Sequence, residues 1–142
     1  MSRVILGSFE KVVLPEWGML ETTAKVDTGA FSGALHCSSI EFDETTRLLT
    51  FYPTSQSKHR IETDKFETRT VRSAHGHKHT RYLVPVVLEL RGKKYKTTIG
   101  LTDRSSMKYE MLIGRRFLRE HNMTVDVRIN GEHDNEWKRV NI

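Results

Sequence analysis

The chain has 142 residues, a net charge of +5 at pH 7 and a pI of about 9.5, a length that suits one domain with a modest core. With 29% charged and 37% hydrophobic residues it is globular in composition rather than disordered, and no apolar run reaches the roughly 20 residues of a membrane span. Its one cysteine, Cys37, excludes an intrachain disulfide, and the start, Met1 to Gly7, lacks a signal-peptide pattern, so a single cytoplasmic domain over residues 1–142 is expected.

In chain order, turn signals recur at short spacing: Pro15-Glu16-Trp17-Gly18, Gly29, Ser32-Gly33, Pro53-Thr54-Ser55, Gly76, Arg91-Gly92, Gly100, Gly114 and Asn130-Gly131. Strands are predicted between them, over Leu20 to Val26, Ile40 to Phe42 and Leu48 to Tyr52. Val84, Val86, Leu88 and Leu90 share one parity, as a half-buried strand requires. Tyr95 to Ile99 then returns after Arg91-Gly92 as the second arm of a hairpin. One short helix is predicted, from Arg115 to about His121, stopped by Asn122, with a last strand over Met123 to Val127. Glu132-His133-Asp134 reads as a hairpin tip. Many short strands and one helix imply an all-β closed barrel. The stretch from Lys58 to Tyr82 is polar, with Ile61, Phe66 and Val71 as sparse apolar anchors, and reads as a protruding hairpin or mobile loop, the kind of element that covers a site.

Two pieces carry chemistry together. In Ala24-Lys25-Val26-Asp27-Thr28-Gly29-Ala30 a strand delivers an aspartate onto a turn, and Gly29 permits a close backbone approach. In Met111-Leu112-Ile113-Gly114-Arg115-Arg116-Phe117-Leu118 a short apolar strand meets a glycine and then a helix. Asp-Thr-Gly alone should occur by chance in roughly 3% of chains this long, so the second motif decides the matter. The pair resembles the two halves of the retropepsin pattern. With Ser32-Gly33-Ala34-Leu35-His36 and Leu101-Thr102-Asp103-Arg104-Ser105-Ser106-Met107, the ordered set is similar to a bacterial retropepsin-like family named ATP-dependent zinc proteases. Members of that family are often associated with ligases that add glutamates to a ribosomal protein.

The resemblance implies an acid-protease fold with Asp27, Thr28 and Gly29 as catalytic residues. The substrate-binding candidates are Ala30, Arg115 and the hairpin-tip residues Ser73, Ala74, His75, Gly76 and His77. It also implies a peptide or protein substrate, with a glutamylated ribosomal protein as one candidate. Aspartic peptidase chemistry needs two carboxylates sharing a proton, and this chain has one such motif, so a symmetric homodimer is expected. Two departures stand out. Phe31 occupies a position where the family commonly has a basic residue. No acid follows Ala30 to pair with Arg115, which leaves Asp103 or a substrate carboxylate as its expected partner.

No cofactor is expected, since neither a Walker loop nor a dinucleotide glycine pattern is present. No metal is assigned: His75, His77 and His79 alternate, but Gly76 interrupts them with a turn, and no metalloprotease or Cys-x-x-Cys spacing occurs. Cys37 beside His36 reads as a buried apolar cysteine rather than a nucleophile, because neighbours on a strand face opposite ways. The basic balance points to an acidic partner or simply to a solvated face. The cations are scattered and the aromatic-interleaved RNA-binding signatures are missing, so nucleic acid is not expected. The main alternative to a peptidase is a non-catalytic peptide-binding module on the same fold; an RNA-binding barrel ranks third.

Overall fold

The computed structural model describes residues 3–55, 58–72, 74–103 and 108–140. Among the described residues there are eleven strands: β1 (Val4–Leu6), β2 (Phe9–Leu14), β3 (Leu20–Val26), β4 (Gly33–Asp43), β5 (Leu48–Pro53), β6 (Ile61–Thr63), β7 (Glu67–Arg72), β8 (Lys78–Leu90), β9 (Lys93–Thr102), β10 (Met111–Ile113) and β11 (Met123–Val125). Two short helices follow β10 and the last strand respectively, α1 (Arg115–Glu120) and α2 (Asn135–Val140), and 3₁₀ turns occupy Pro15–Trp17 and Gly131–His133. No helix among the described residues is long and apolar enough to cross a membrane.

Six strands close a barrel. Their order is β10-β3-β2-β8-β9-β4, and β10 pairs back onto β4, which completes the ring. β10 is the closing piece: Met111 faces Ala24 of β3 in parallel and Leu35 of β4 in antiparallel pairing. β3 and β4 are consecutive in the chain, so β10 is wedged between them and the Asp27 turn that joins them must pass over its end. The expected all-β closed barrel is therefore present.

The interior follows the alternation read from the sequence. Val84, Val86, Leu88 and Leu90 are buried while Pro85 is exposed. β8 and β9 pair from Leu83–Gly100 to Leu90–Lys93, around a two-residue loop in which Arg91 and Gly92 both have positive φ, 54° and 80°. That mirror-image turn matches the right-handed twist of the strands it joins. Phe51, fully buried, meets Trp17 edge-on at 5.2 Å between ring centres.

Glu10 is buried, and its carboxylate accepts from the Gly7 amide at 2.7 Å and from Arg91 Nη2 at 2.8 Å. Arg91 also donates to the Ile5 carbonyl. One ion pair, buried on the Glu10 side and open to solvent on the Arg91 side, thus stitches β1 and β2 to the β8–β9 turn.

Several expectations are corrected. Gly100 does not divide the chain but lies inside β9, where a Cβ would stand 3.2 Å from Arg81 Cδ and 3.4 Å from the Gly33 carbonyl. It leaves room for the Arg81 stem to cross the sheet. The strand expected at Ile40 to Phe42 is part of the longer β4, which bulges between Ser38 and Glu41. The last strand stops at Val125. Glu132-His133-Asp134 is not a hairpin tip. Asn130 adopts the left-handed conformation and starts a 3₁₀ turn, and Asp134 Oδ1 then accepts from the Glu136 and Trp137 amides, opening a second helix the sequence reading did not include.

The later part of the Lys58–Tyr82 stretch forms a hairpin, while β6 near its start pairs with β5. β7 pairs with the first half of β8, from Glu67–Leu83 to Arg72–Lys78, so the tip falls between Arg72 and Lys78. It is better anchored at its base than expected: Phe66 packs against Phe42 at 5.7 Å and Tyr82 at 5.6 Å.

Candidate active site

The site begins where β3 runs out. The Asp27 amide donates to the Ile113 carbonyl at 2.8 Å, the last rung of the β3–β10 ladder. The chain then turns, and the Gly29 amide donates to Asp27 Oδ1 at 2.9 Å while the Ala30 amide donates to the Asp27 carbonyl at 3.3 Å. An aspartate that accepts from the amide two residues on fixes its own carboxylate and the turn together. Asp27 is half-buried, and Thr28 and Gly29 are exposed.

The turn is clamped from the other side by α1. The first amides of a helix have no partner within the helix. Here the Arg115 and Arg116 amides donate to the Ala30 and Phe31 carbonyls, both at 2.8 Å. This approach requires a glycine at position 114. A Cβ there would lie 2.6 Å from the Phe31 oxygen and 2.9 Å from the Ala30 oxygen. Gly33 plays the same part against the Leu112 carbonyl, which a Cβ would meet at 2.8 Å. The two motifs read separately in the sequence are therefore one object: a loop carrying Asp27 and a strand–glycine–helix that holds it.

Arg115 is not paired with Asp103, as the sequence reading allowed. Its Nη1 donates to the Thr28 carbonyl at 2.8 Å, and its guanidinium lies 5.9 Å from the Phe31 ring centre. The missing acid is replaced by a backbone carbonyl of the loop itself, and an aromatic face occupies the position next to Ala30. Asp103 instead stands 3.5 Å from Nδ1 of buried His36.

Beside the loop runs a groove of about 770 Å³. Ala30, Ser32 and Ala34 line it on the loop side, Leu112 below, and His79 to Tyr82 on the hairpin side, with Leu101, Thr102 and Asp103 at the end of β9. The hydroxyls of Ser32 and Thr102 are buried there without a hydrogen-bond partner. Orphaned hydroxyls are costly, and both lie in the wall of the groove rather than at its surface.

Of the residues expected to bind substrate, Ala30 lines this groove and Arg115 braces the loop. Ala74, His75, Gly76 and His77 sit exposed at the hairpin tip, with open space where a Gly76 side chain would be. The same hairpin contributes residues closer to its base, His79, Thr80, Arg81 and Tyr82. Ser73 lies outside the described residues, as does the stretch from Arg104 to Met107. Ser32, Arg81 and Thr102 were not singled out from the sequence. They come together because β9 pairs in parallel with β4, where His36 faces Thr102, and antiparallel with β8, which carries Arg81, and no local pattern announces the pairing of β4 with so distant a strand.

Among the described residues no group of three or more His, Cys, Asp and Glu side chains is arranged to hold a metal ion. Cys37 is buried, and burial pushes its thiol up to about 12, so the nucleophilic thiolate is scarce at neutral pH.

Comparison with known proteins agrees with this geometry. A sequence profile described as retropepsin-like aspartic endopeptidase RimB, of a RimB-like family, matches residues 5–134. A probable alpha-L-glutamate ligase of Shewanella pealeana is 30% identical over 121 residues, covering 80% of this chain and 26% of the relative. One from Parasynechococcus marenigrum is 34% identical over the same length and the same shares. The chain spans about a quarter of the length of these curated relatives. The solved structure of a protein of unknown function from Legionella pneumophila superposes with a TM-score of 0.72 at 28% identity, covering 89% of this chain and 95% of that one. With the Asp27 loop, the clamping strand–glycine–helix and the closed barrel accounted for, the chain belongs to the RimB-like family of retropepsin-like aspartic endopeptidases.

Proposed function

We propose that this chain is a single peptidase domain over residues 1–142 that cleaves a peptide bond in the cytoplasm as a homodimer, with Asp27 of each subunit supplying half of the catalytic pair. The observation that carries this reading is the clamped loop: Asp27 Oδ1 held by the Gly29 amide, with the Ala30 and Phe31 carbonyls further along the loop bound by the first amides of α1. A carboxylate so fixed loses little freedom on entering a reaction, which is what positioning contributes to catalysis.

In the proposed reaction the two Asp27 carboxylates share one proton, because like charges about 3 Å apart do not both ionise. The ionised one takes a proton from water as the oxygen attacks the scissile carbonyl. The protonated one gives its proton to the carbonyl oxygen. Collapse of the tetrahedral intermediate breaks the C–N bond, and a proton passes to the departing amine. Thr28 and Gly29 hold the loop, and Ala30 borders the substrate.

The proposed substrate is an acidic, glutamate-rich peptide, of which a glutamylated ribosomal protein is one example. Support comes from the net charge of +5, from Arg81 and His79 in the groove, and from relatives named as glutamate ligases. Asp103 at the groove's far end opposes this and restricts where an acidic residue can sit. The test is incubation with oligo- and polyglutamylated peptides, scored by mass spectrometry, for untreated, chelator-treated and Asp27→Asn protein. Cleavage that survives chelation and disappears with Asp27→Asn is the expected result. Binding without cleavage by the unmodified protein, or cleavage lost only to chelator, contradicts the proposal.

A further inference from the structure

The β7–β8 hairpin carries charges that its own fold does not balance. From Thr68 to Tyr82 the chain has Arg69, Arg72, Lys78 and Arg81, with no aspartate or glutamate among them. The register sets these cations against one another: Arg69 faces Arg81, and Arg72 faces Lys78. Like charges directly opposite on paired strands are destabilising. The nearest acid along the strand, Glu67, stands 3.9 Å from Nη1 of Arg116. Among the described residues neither Arg69 nor Arg81 forms an ion pair.

The two faces of the ribbon differ. Residues directly opposite share a face, and successive residues alternate. Tyr82 therefore lies on one face, where it packs on Phe66 and Phe42, and Arg72 and Lys78 share that face. Arg69 and Arg81 share the other. The Arg81 stem crosses Gly100 there: a Cβ on Gly100 would stand 3.2 Å from Arg81 Cδ and 3.4 Å from the Gly33 carbonyl. Gly100 pairs with Ala34, at the start of β4. Arg81 thus enters the groove opposite the wall formed by Ala30, Ser32 and Ala34, the chain that leads out of the Asp27 loop.

We propose that Arg81, reinforced by Arg69, is the specificity-determining group of the groove, and that it takes a side-chain carboxylate of the substrate residue lying over Gly33 and Ala34. The inference rests on the peptidase reading above and names the group behind its preference for acidic peptides. A guanidinium presents two parallel N–H donors that match a carboxylate, which an ammonium cannot do. A carboxylate brought to Arg81 also offsets its repulsion with Arg69, so binding relieves a cost that the free hairpin carries. Arg72 and Lys78 stand on the opposite face, so no continuous track of cations follows the groove. That suits a single carboxylate rather than the repeating charge of a phosphate backbone.

The experiment measures binding of fluorescein-labelled hexaglutamate and hexaglutamine by anisotropy on the full Asp27→Asn chain, where no cleavage intervenes. Arg81→Gln, Arg81→Lys, Arg69→Gln and Lys93→Gln are added one at a time, with Tm followed for each. Hexaglutamate is expected to bind more tightly than hexaglutamine. Arg81→Gln should reduce that preference by about tenfold or more, Arg81→Lys should recover part of it, and Arg69→Gln should cost less. Lys93→Gln removes the same charge at the β8–β9 turn and should change nothing. Neither glutamine variant of the ladder should lower Tm, since each removes one of two like charges. Should Arg81→Gln fail to fold, Arg81→Lys and Arg69→Gln decide. A preference untouched by these variants, or weakened equally by Lys93→Gln, overturns the inference. So does an oligouridylate that competes as strongly as hexaglutamate, which would assign the hairpin to nucleic acid. Cleavage of the peptides by chains with Asp27 intact is scored in parallel. Cleavage that continues while the preference ignores Arg81 leaves the peptidase reading standing. Arg81-dependent binding without cleavage supports the carboxylate site and overturns the peptidase reading, and loss of both binding and cleavage overturns both.

Discussion

At the scale of single residues, the two motif glycines do different work, and this can be measured. Gly114 sits where a Cβ would press on two backbone oxygens that cannot withdraw without opening the loop. Gly114→Ala should therefore lower stability by about 1–3 kcal/mol, as overpacking does, and lower activity with it; denaturant unfolding measures the first. Gly29 has a single neighbour, Asp27 Oδ1, at 3.1 Å from the would-be Cβ. Gly29→Ala should leave stability nearly unchanged while shifting the carboxylate, with a loss in kcat of up to about 10²-fold. Equal effects of the two substitutions on stability would contradict this division. Cys37 gives a third residue-scale expectation. Its raised pKa follows from burial, which disfavours the charged thiolate, so the native thiol should resist a disulfide reagent at pH 8 and react promptly once denaturant unfolds the chain. Rapid labelling of native protein would show the barrel wall at β4 to be open.

At the scale of elements, local patterns and long-range pairings were legible to different degrees. β3 was readable from Leu20 to Val26 because turn residues bracket it. The β8–β9 hairpin was readable because Arg91-Gly92 supplies two left-handed residues between runs of one parity. The second helix is less legible although its signal is present, an Asp134 cap ahead of Asn135 and Glu136, because the preceding Asn130-Gly131 suggests the turn of a hairpin. Arg115 could be placed beside the loop, but its true acceptor, the Thr28 carbonyl, is a backbone atom that no residue pattern encodes. The groove residues Ser32, Arg81 and Thr102 meet because β9 pairs with β4 on one side and with β8 on the other, a long-range arrangement that their neighbours in sequence do not encode. One element-scale prediction concerns the stitch at the barrel's end. Arg91→Ala leaves the buried Glu10 carboxylate with the Gly7 amide alone. Because Arg91 is itself 46% exposed, losing its side of this part-buried pair should cost about 1–3 kcal/mol and free β1, seen as faster amide exchange at Ile5 and Leu6. An unchanged Tm would show that β1 is held by β11 alone.

At the scale of the molecule, the barrel is a device for presenting one loop. β10 closes the ring and, through Gly114 and α1, holds the Asp27 turn at the edge of a groove that a hairpin overhangs. In the function proposed above, that arrangement is half of a symmetrical site whose two halves act as one. The direct measurement is subunit mixing on a peptide the unmodified protein cleaves. Unmodified and Asp27→Asn chains are allowed to exchange in equal amounts, and the rate is compared with that of unmodified protein at the same total concentration. If each site needs both carboxylates, only the pairs with two unmodified subunits cleave, and the rate falls to about a quarter. A rate of about one half would mean that each chain carries a complete site of its own, and would contradict the account.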